Sequence, residues 1–164
     1  MTVPQEPQAP VAQVERIVVS YSNMLLRVAM HYMKGRADAE DVVQTVFLRL
    51  LRESPRFDSQ EHEKAWLLRV AINLCKDAHK AAWRRHTVLA DPPDTPVYDE
   101  EPFPQVLAAV RELPPNHRAA IYLHYYENLT VPQIAQLMEA PEGTVMSWLH
   151  RGRAKLKTLL KGGL

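Results

Sequence analysis

The apolar positions in the first part of the chain recur at intervals of three and four residues, the spacing of an amphipathic α-helix. We predict one helix over residues 11–34 and a second from Asp38 to Glu53. Asp38 is the expected N-cap of the second helix, because a carboxylate at that position accepts backbone N–H groups. The expected core stripe of this helix is Val43, Val46, Phe47, Leu50 and Leu51.

A polar stretch, residues 54–63, is predicted to be a loop, with a helix start at Asp58 or Ser59. The next segment, EKAWLLRVAINLCKDAHKAAWRR, has the periodicity of one long helix. Its expected inward side is Trp66, Leu67, Val70, Ala71, Leu74 and Ala78. Another side carries Arg69, Asn73, Lys76, Lys80 and Arg84, with Arg85 beside them. Cations and an amide, with the aromatic residues Phe57, Trp66 and Trp83 nearby, suit the binding of a nucleic-acid strand. For Trp66 we favour a core position.

The C-terminal part of the chain begins with two predicted helices, over residues 105–112 and 116–126. The buried candidates of the second are Ala120, Ile121, Leu123, His124 and Tyr125. Asn128 follows as a left-handed C-cap, a conformation that asparagine tolerates better than most residues.

The segment from Leu129 to Lys161 has the pattern of two helices joined by a tight turn. Thr130 and Gln133 form a capping box at the start of the first helix, and residues 140–143 break it. The second helix is predicted to open at Thr144, with its apolar side formed by Val145, Leu149, Gly152, Leu156 and Leu159. Its opposite side carries Ser147, His150, Arg151, Arg153, Lys155 and Lys157. This is the pattern of a helix-turn-helix, whose second helix enters the DNA major groove; a helical hairpin with a solvated basic face is the alternative.

The expected fold is all-α, with two small helical domains on a flexible tether. Residues 87–104 hold five prolines and five acids in eighteen residues, without periodicity, and are predicted to be an extended linker. The expected organisation is a disordered tail at 1–10, a helical domain at 11–86, the linker at 87–104 and a helix-turn-helix domain at 105–164.

Composition and charge narrow the functional classes. The net charge is only +1, but residues 144–164 carry five Lys or Arg and no acid, so the basic end can bind phosphates. The single cysteine, Cys75, rules out an internal disulfide. The N-terminus lacks the features of a secretion signal and no apolar run is long enough to span a membrane, so a soluble cytoplasmic protein is expected.

No catalytic motif is present, and the chain is not expected to be an enzyme. Cys75 and His79 have the i, i+4 spacing of half a metal site, but no second pair completes it, so we expect neither a metal nor a cofactor. A buried structural thiol is the better interpretation of Cys75.

A second line of residues runs along the helix from Asp38 to Glu53, opposite the core stripe. It consists of Asp41, Gln44, Thr45 and Leu48, at helical spacing, and is polar except for the leucine. From the pattern alone, a solvated face with one surface leucine is favoured over a docking face for another protein.

Three stretches together resemble the extracytoplasmic-function group of sigma-70-type sigma factors of bacterial RNA polymerase. DAEDVVQTVFLRLL is similar to the helix that binds core polymerase, and KAWLLRVAINLCKDAHKAAWRR to the helix that recognises the downstream promoter element. The segment LPPNHRAAIYLHYYENLTVPQIAQLMEAPEGTVMSWLHRGRAKL resembles the domain that recognises the upstream element. The three in this order, separated by an acidic proline-rich linker, cover nearly the whole chain.

The resemblance assigns roles to these faces. It implies that Asp41, Gln44, Thr45 and Leu48 dock on the clamp helices of the largest polymerase subunit, which outweighs the solvated-face interpretation. The loop at 54–63 would capture a flipped base of the melted strand, and the C-terminal domain would also contact the polymerase flap. The residues implied for the downstream promoter element are Phe57, Ser59, Arg69, Asn73, Lys76, Lys80 and Arg84. Those implied for the upstream element are Thr144, Met146, Ser147, Trp148, His150, Arg151, Arg153 and Lys155.

The resemblance also implies partners, and the sequence departs from the family pattern at three positions. Core RNA polymerase and promoter DNA are the expected partners, with an anti-sigma factor as a further candidate and no insertion into a membrane. Met146 and Trp148 stand where the family usually has cations, which weakens the expectation of upstream-element recognition. Glu139 replaces the family's turn glycine, at a cost of about 1–2 kcal/mol if that position is left-handed.

Two other interpretations remain. A helix-turn-helix regulator would bind DNA without serving as a polymerase subunit, and it would need neither the docking line nor the strand-binding helix. A helical interaction protein that has lost its DNA surface is supported only by Met146 and Trp148.

Overall fold

The computed structural model describes residues 11–84 and 104–162, and every regular element within these ranges is a helix. The predicted tail at 1–10 and all but the last residue of the predicted linker at 87–104 lie outside the described residues. The first group comprises α1 (Val11–Tyr32), α2 (Arg36–Glu53) and α3 (Gln60–Arg84). The second comprises α4 (Pro104–Arg111), α5 (Pro115–Ile121), a π-helical turn (Tyr122–Tyr126), α6 (Val131–Met138) and α7 (Glu142–Gly162).

The α2 helix starts earlier and is rotated relative to the prediction. Gly35 is its N-cap residue, so Asp38 lies in the first turn, where the helix dipole still favours a carboxylate. Leu51, predicted to be in the core, is 55% exposed. The buried stripe consists of Ala39, Val42, Val46 and Leu50, which step by three and four residues. Leu51 directly follows Leu50, and successive side chains of a helix point in different directions, so Leu51 points away from the core.

The helix-turn-helix forms as predicted, with one shifted boundary. Thr130 caps α6 in a complete capping box with Gln133. The helix ends at Glu139, which is left-handed with φ 53°. Glu139 stands at the position of the family's turn glycine, where a left-handed conformation was considered. Helix α7 begins at Glu142 rather than at Thr144, because the carbonyl of Pro141 already accepts the N–H of Val145 at 3.1 Å.

Close packing in the second group depends on one small residue. Gly152 of α7 is buried against α5, and a Cβ atom at this position would lie 2.8 Å from Cγ1 of Ile121. Because real Cβ contacts are longer than this, the glycine lets the two helices approach closely. Arg118, also buried, donates from Nε and Nη2 to the carbonyl of Leu113, and so satisfies a backbone acceptor between α4 and α5.

Two other residues differ from the sequence prediction in their exposure. Ala78 of α3, predicted to face inward, is exposed. Tyr125, predicted to be buried, is 54% exposed, and it lies in the π-helical turn, where the wider winding shifts which side chains face the core. Asn128 is left-handed with φ 58°, as predicted.

The two groups of helices lie against each other, whereas the sequence suggested modules held apart on a tether. Helix α1 contacts α5, and α3 contacts α6. His31 of α1 stacks at a tilt on Tyr122, with 4.8 Å between ring centroids. Buried apolar side chains of both groups join in one cluster. In this contact Arg69 and Lys76 of α3 donate hydrogen bonds to backbone carbonyls of α6, and a backbone carbonyl carries no residue-specific sequence signal.

Candidate functional site

The predicted docking line lies along one side of α2. Asp41 and Gln44 are exposed, and Leu48 is 64% exposed. Thr45 is half-buried, and its hydroxyl donates to the carbonyl of Asp41 at 2.8 Å. The helix therefore presents a leucine, an amide and a carboxylate to solvent on one face, while Thr45 is bonded to its own helix.

The loop before α3 is organised around Phe57 and Ser59. Phe57 is half-buried and packs edge-on against Trp66, with 5.9 Å between ring centroids. The Ser59 hydroxyl accepts the N–H of His62 at 3.1 Å, which is the bond an N-cap residue makes. Trp66 is half-buried against the core, in agreement with the favoured assignment. Phe57 and Ser59 thus both connect the loop to α3, one by ring packing and the other by a hydrogen bond.

Glu63 lies in the first turn of α3, near the predicted helix start, and anchors the helix to α1. Its side chain is 5% exposed and accepts two hydrogen bonds from Arg16 of α1, at 3.1 and 2.7 Å. The bonds from Arg16, and less so one from Tyr21, lower the pKa of the carboxyl group. A carboxylate is expensive to bury unless it is paired, and its partner lies 47 residues away. No local sequence signal marks such a pair.

The basic side of α3 faces the helix-turn-helix. Arg69 is exposed and donates to the carbonyl of Gln136 at 3.4 Å. Lys76 is half-buried and donates to the carbonyl of Met138, and burial lowers its pKa. Asn73 is half-buried and Lys80 is exposed, whereas the side chain of Arg84 lies outside the described residues.

A cleft of about 600 Å³ separates α3 from the turn before α6. Ser59 and Arg69 of the predicted strand-binding set line it. Amide side chains from the other wall, Asn128 and Gln133, face them across the cleft. The lining also includes Trp66, the cation of Lys64 and the acids Glu61 and Glu127, so the walls combine amides, an aromatic ring and charges of both signs.

The predicted recognition face of α7 is largely accessible. Met146 is 60% exposed, and four residues of the predicted upstream set are also exposed, namely His150, Arg151, Arg153 and Lys155. Thr144, Ser147 and Trp148 are half-buried. Trp148 packs against the core, so of the two unusual residues Met146 is the one freely presented to solvent.

Two aromatic residues beside this face were missed as neighbours of the recognition helix. The hydroxyl of Tyr125 accepts a hydrogen bond from Arg153 at 2.9 Å, which fixes the direction of the guanidinium group. His117 of α5 is half-buried, and burial, followed by the charge of Arg151, lowers its pKa. The exposed Tyr125 carried no signal because its periodicity matched the buried side of a regular helix.

Cys75 is fully buried, as predicted for a structural thiol, and burial raises its pKa to about 12. His79 contacts the carbonyl of Tyr32 through Nε2. Across residues 11–84 and 104–162, no three His, Cys, Asp or Glu side chains gather as metal ligands. Within the same ranges, no helix is both long and apolar enough to cross a bilayer.

Comparisons with known proteins match both groups of helices. The family described as Sigma-70 region 2 matches residues 17–85, and that described as Sigma-70, region 4 matches residues 104–156. The chain is 30% identical to the ECF RNA polymerase sigma factor SigL of Mycobacterium tuberculosis, over 93% of this chain and 92% of the relative. It is also 30% identical to SigE of Mycolicibacterium smegmatis, an ECF RNA polymerase sigma factor, over 93% of this chain but 63% of that relative's length.

A solved structure shares the fold. The sigma factor RpoE of Bartonella quintana, crystallised with the anti-sigma factor NepR, superposes with a TM-score of 0.71 at 21% identity. The match covers 90% of this chain and 96% of that one. Because the two family matches fall on the two helix groups in order and together cover most of the sequence, the chain belongs to the sigma-70 family of RNA polymerase sigma factors, in its extracytoplasmic-function group.

Proposed function

We propose that this chain binds core RNA polymerase, directs it to a specific class of promoters and helps to open the DNA there. The observation that carries the proposal is the presence of region 2 and region 4 in one chain, each with an accessible polar or basic face. A regulator that bound only duplex DNA would use the second group of helices alone.

The docking surface for polymerase is the exposed side of α2. Leu48 supplies an apolar side chain that solvent surrounds in the free protein, and Asp41 and Gln44 flank it with hydrogen-bonding groups. Covering an exposed leucine with a partner removes its apolar surface from water, which stabilises the complex. Thr45 contributes mainly through its bond within the helix.

The melted promoter strand is held by α3 and the loop before it. Arg69, Lys76 and Lys80 bind phosphates, and Asn73 supplies an amide for a base or a sugar. Phe57 and Ser59 lie at the position that receives an extracted base, whose unstacking costs a few kcal/mol and must be offset by the pocket. Arg84 is assigned to the same strand from the family resemblance.

The upstream element is bound by α7 in the major groove. Arg151, Arg153 and Lys155 neutralise phosphates, with Tyr125 orienting one of them. Thr144, Ser147 and His150 supply hydrogen bonds, and Met146 is suited to touch a thymine methyl group. Trp148 acts mainly in packing, because it is half-buried against the core.

The proposal has three further parts. The protein carries out no covalent chemistry of its own and needs no cofactor, since polymerase supplies the reaction. It works in the cytoplasm, where bacterial polymerase and promoter DNA are found. An anti-sigma factor is a candidate partner, by extension from the complex formed by the Bartonella quintana protein.

The proposal is tested by co-elution of the purified chain with core polymerase on a sizing column. We expect a stable complex that binds a promoter fragment which core polymerase alone does not select. If the chain binds duplex DNA but leaves core polymerase unchanged in elution and in DNA selection, it is a DNA-binding regulator and the proposal is wrong.

A further inference from the structure

His31 is a buried histidine at the contact between the two helix groups, and neither proposed DNA surface uses it. It lies in the last turn of α1 and is 3% exposed. Its ring packs at a 46° tilt on Tyr122 of the second group, with 4.8 Å between ring centroids. Nε2 of His31 has no hydrogen-bond partner among the described residues. Because a buried polar nitrogen without a partner costs free energy, an apolar side chain would hold this contact together more firmly.

Two residues of the second group act on the His31 ring. Arg118 of α5 is buried, and its guanidinium donates from Nε and Nη2 to the carbonyl of Leu113, which fixes a positive charge near the ring. Tyr122 packs on the ring, and its own hydroxyl donates to the Glu127 carboxylate at 2.9 Å. Burial, followed by the charge of Arg118, lowers the pKa of His31 to about 3. The ring is therefore neutral while the groups are packed, since a proton on it would be both desolvated and repelled.

The titratable residues of the first group adjoin Tyr32, the next residue along α1. Cys75 of α3 acts on Tyr32, and burial raises the pKa of both side chains, that of the thiol to about 12. His79 of α3 contacts the Tyr32 carbonyl through Nε2, and its ring packs edge-on against that of Tyr32 at 6.1 Å between centroids. No carboxylate of the described residues, on α2 or elsewhere, contributes to the pKa of His31. A proton on the ring would thus find no compensating negative charge.

We propose that His31 makes the contact between the two helix groups sensitive to acid: the groups pack together while the ring is neutral and separate when it takes up a proton. The other contacts between the groups include the Lys64–Glu127 ion pair at 2.9 Å and the Arg27 guanidinium, 5.6 Å from the ring centroid of Tyr126. These contacts determine how much acid the separation requires. The proposal is independent of the proposed function, because it concerns the free chain alone.

The direction of the effect follows from the pKa of the ring in the two arrangements. When the groups separate, the ring meets water and its pKa returns toward the ordinary value of 6.5. Above that value the ring is neutral in both arrangements, and pH has no effect on the contact. Below it only the separated chain binds the proton, so the ratio of separated to packed chains rises by up to about tenfold per pH unit. Between about pH 7.5 and about pH 5, the expected rise is about 30-fold.

Energy transfer between two dyes on the full chain measures the separation. The dyes are attached at Glu53→Cys and Lys157→Cys, because these residues are exposed and lie in different helix groups, whereas Cys75 is fully buried. A titration from about pH 7.5 to about pH 5 stays above the ordinary pKa range of carboxyl groups, which remain ionised. Circular dichroism of the same samples measures the helix content.

His31→Phe is the decisive variant, because its ring can still pack on Tyr122 but cannot take up a proton. His79→Gln is the matched control, since it removes a histidine whose contact lies within the first helix group. We expect the ratio of separated to packed chains to rise about 30-fold in the unaltered chain and in His79→Gln, with constant helix content, and less than about twofold in His31→Phe. Lys64→Gln weakens the same contact without changing His31, so its groups should separate at a higher pH.

Energy transfer that stays constant down to about pH 5 in the unaltered chain would overturn the proposal. An equal acid response in His31→Phe would do the same, because another group would then be the one that titrates. A transition at the same pH in Lys64→Gln would place the change away from this contact, and a loss of helix content would mean that acid unfolds a helix group; either result is also contrary to the proposal. Polymerase binding is tested separately by co-elution and does not depend on these outcomes.

Discussion

We expect that a substitution of Glu63 which breaks its pairing with Arg16 will clearly destabilise the first helix group. The Glu63 carboxylate is almost fully buried and receives two hydrogen bonds from Arg16, which joins the start of α3 to the first turns of α1. Glu63→Gln keeps the shape of the side chain but removes the charge, and its amide nitrogen cannot accept a hydrogen bond from the guanidinium group.

The size of the effect follows from the two bonds. A hydrogen bond to a charged group contributes about 1.5–3 kcal/mol, and a neutral one about 0.5–1.5 kcal/mol. The guanidinium side of the pair is 46% exposed, so solvent screening removes much of the difference. We expect Glu63→Gln to lower the free energy of unfolding by about 1–2 kcal/mol at neutral pH. Glu40→Gln is the matched control, because the Arg36–Glu40 pair on α2 is half exposed on both sides and should contribute at most about 0.5 kcal/mol.

The effect should also depend on pH in one direction. The folded-state pKa of Glu63 lies below its ordinary value of 4.5, so the stabilisation is complete above that value. It is lost as the pH falls through the lowered pKa, where the folded carboxylate also becomes protonated. Urea unfolding followed by circular dichroism, at neutral pH and at several acidic values, measures both quantities. A Glu63→Gln deficit that is no larger than that of Glu40→Gln, or that is unchanged in acid, would refute the reasoning.

The remaining predictions concern the docking line, the turn and the recognition helix. Leu48→Glu should weaken the complex with core polymerase about tenfold or more without altering thermal stability, whereas Leu51→Glu, on another exposed leucine outside the docking line, should leave the affinity unchanged. Full affinity of Leu48→Glu in a pull-down titration would remove the docking assignment. Glu139→Gly should raise the free energy of unfolding by about 1 kcal/mol because the residue is left-handed, while Glu139→Ala should give no gain; equal urea midpoints for the two variants would contradict the strain. Arg151→Ala should reduce the salt dependence of duplex binding by about 0.9 in the log–log slope, and an unchanged slope would mean that Arg151 does not reach a phosphate.

Local signals in the sequence were enough to predict the helices and the helix-turn-helix. The capping box at Thr130 and Gln133 is a contact between residues three apart, so it forms whenever α6 does. The left-handed residue Asn128 and the buried side of α7 from Val145 to Leu149 are equally local. Periodicity determines these features because each follows from the geometry of a single helix or turn.

Features that depend on distant partners were not predicted. Glu63 is buried because Arg16, 47 residues earlier, neutralises it, and nothing in its neighbours distinguishes it from a solvated acid at a helix start. Packing of α2 on α1 and α3 buries the side with Val42 and leaves Leu51 exposed, since a small difference in helix orientation decides between adjacent apolar positions. Periodicity alone does not resolve such a choice.

The contact between the helix groups was unexpected for a chemical reason. The charge and spacing of Lys76 and Arg69 predict that they bind phosphate. In the structure both donate hydrogen bonds to backbone carbonyl oxygens of α6, which carry a partial negative charge. A cationic surface has the same sequence signature whether its ligand is DNA or a helix end. The pattern therefore predicted the chemistry of the surface but not what covers it in the free chain.

Transcription by core polymerase on fragmented genomic DNA, with and without the purified chain and with all start sites mapped, tests the central claim most directly. The account predicts a discrete set of new starts that appears only with the chain and that shares one upstream and one downstream sequence element. Identical start sites in both reactions would contradict it.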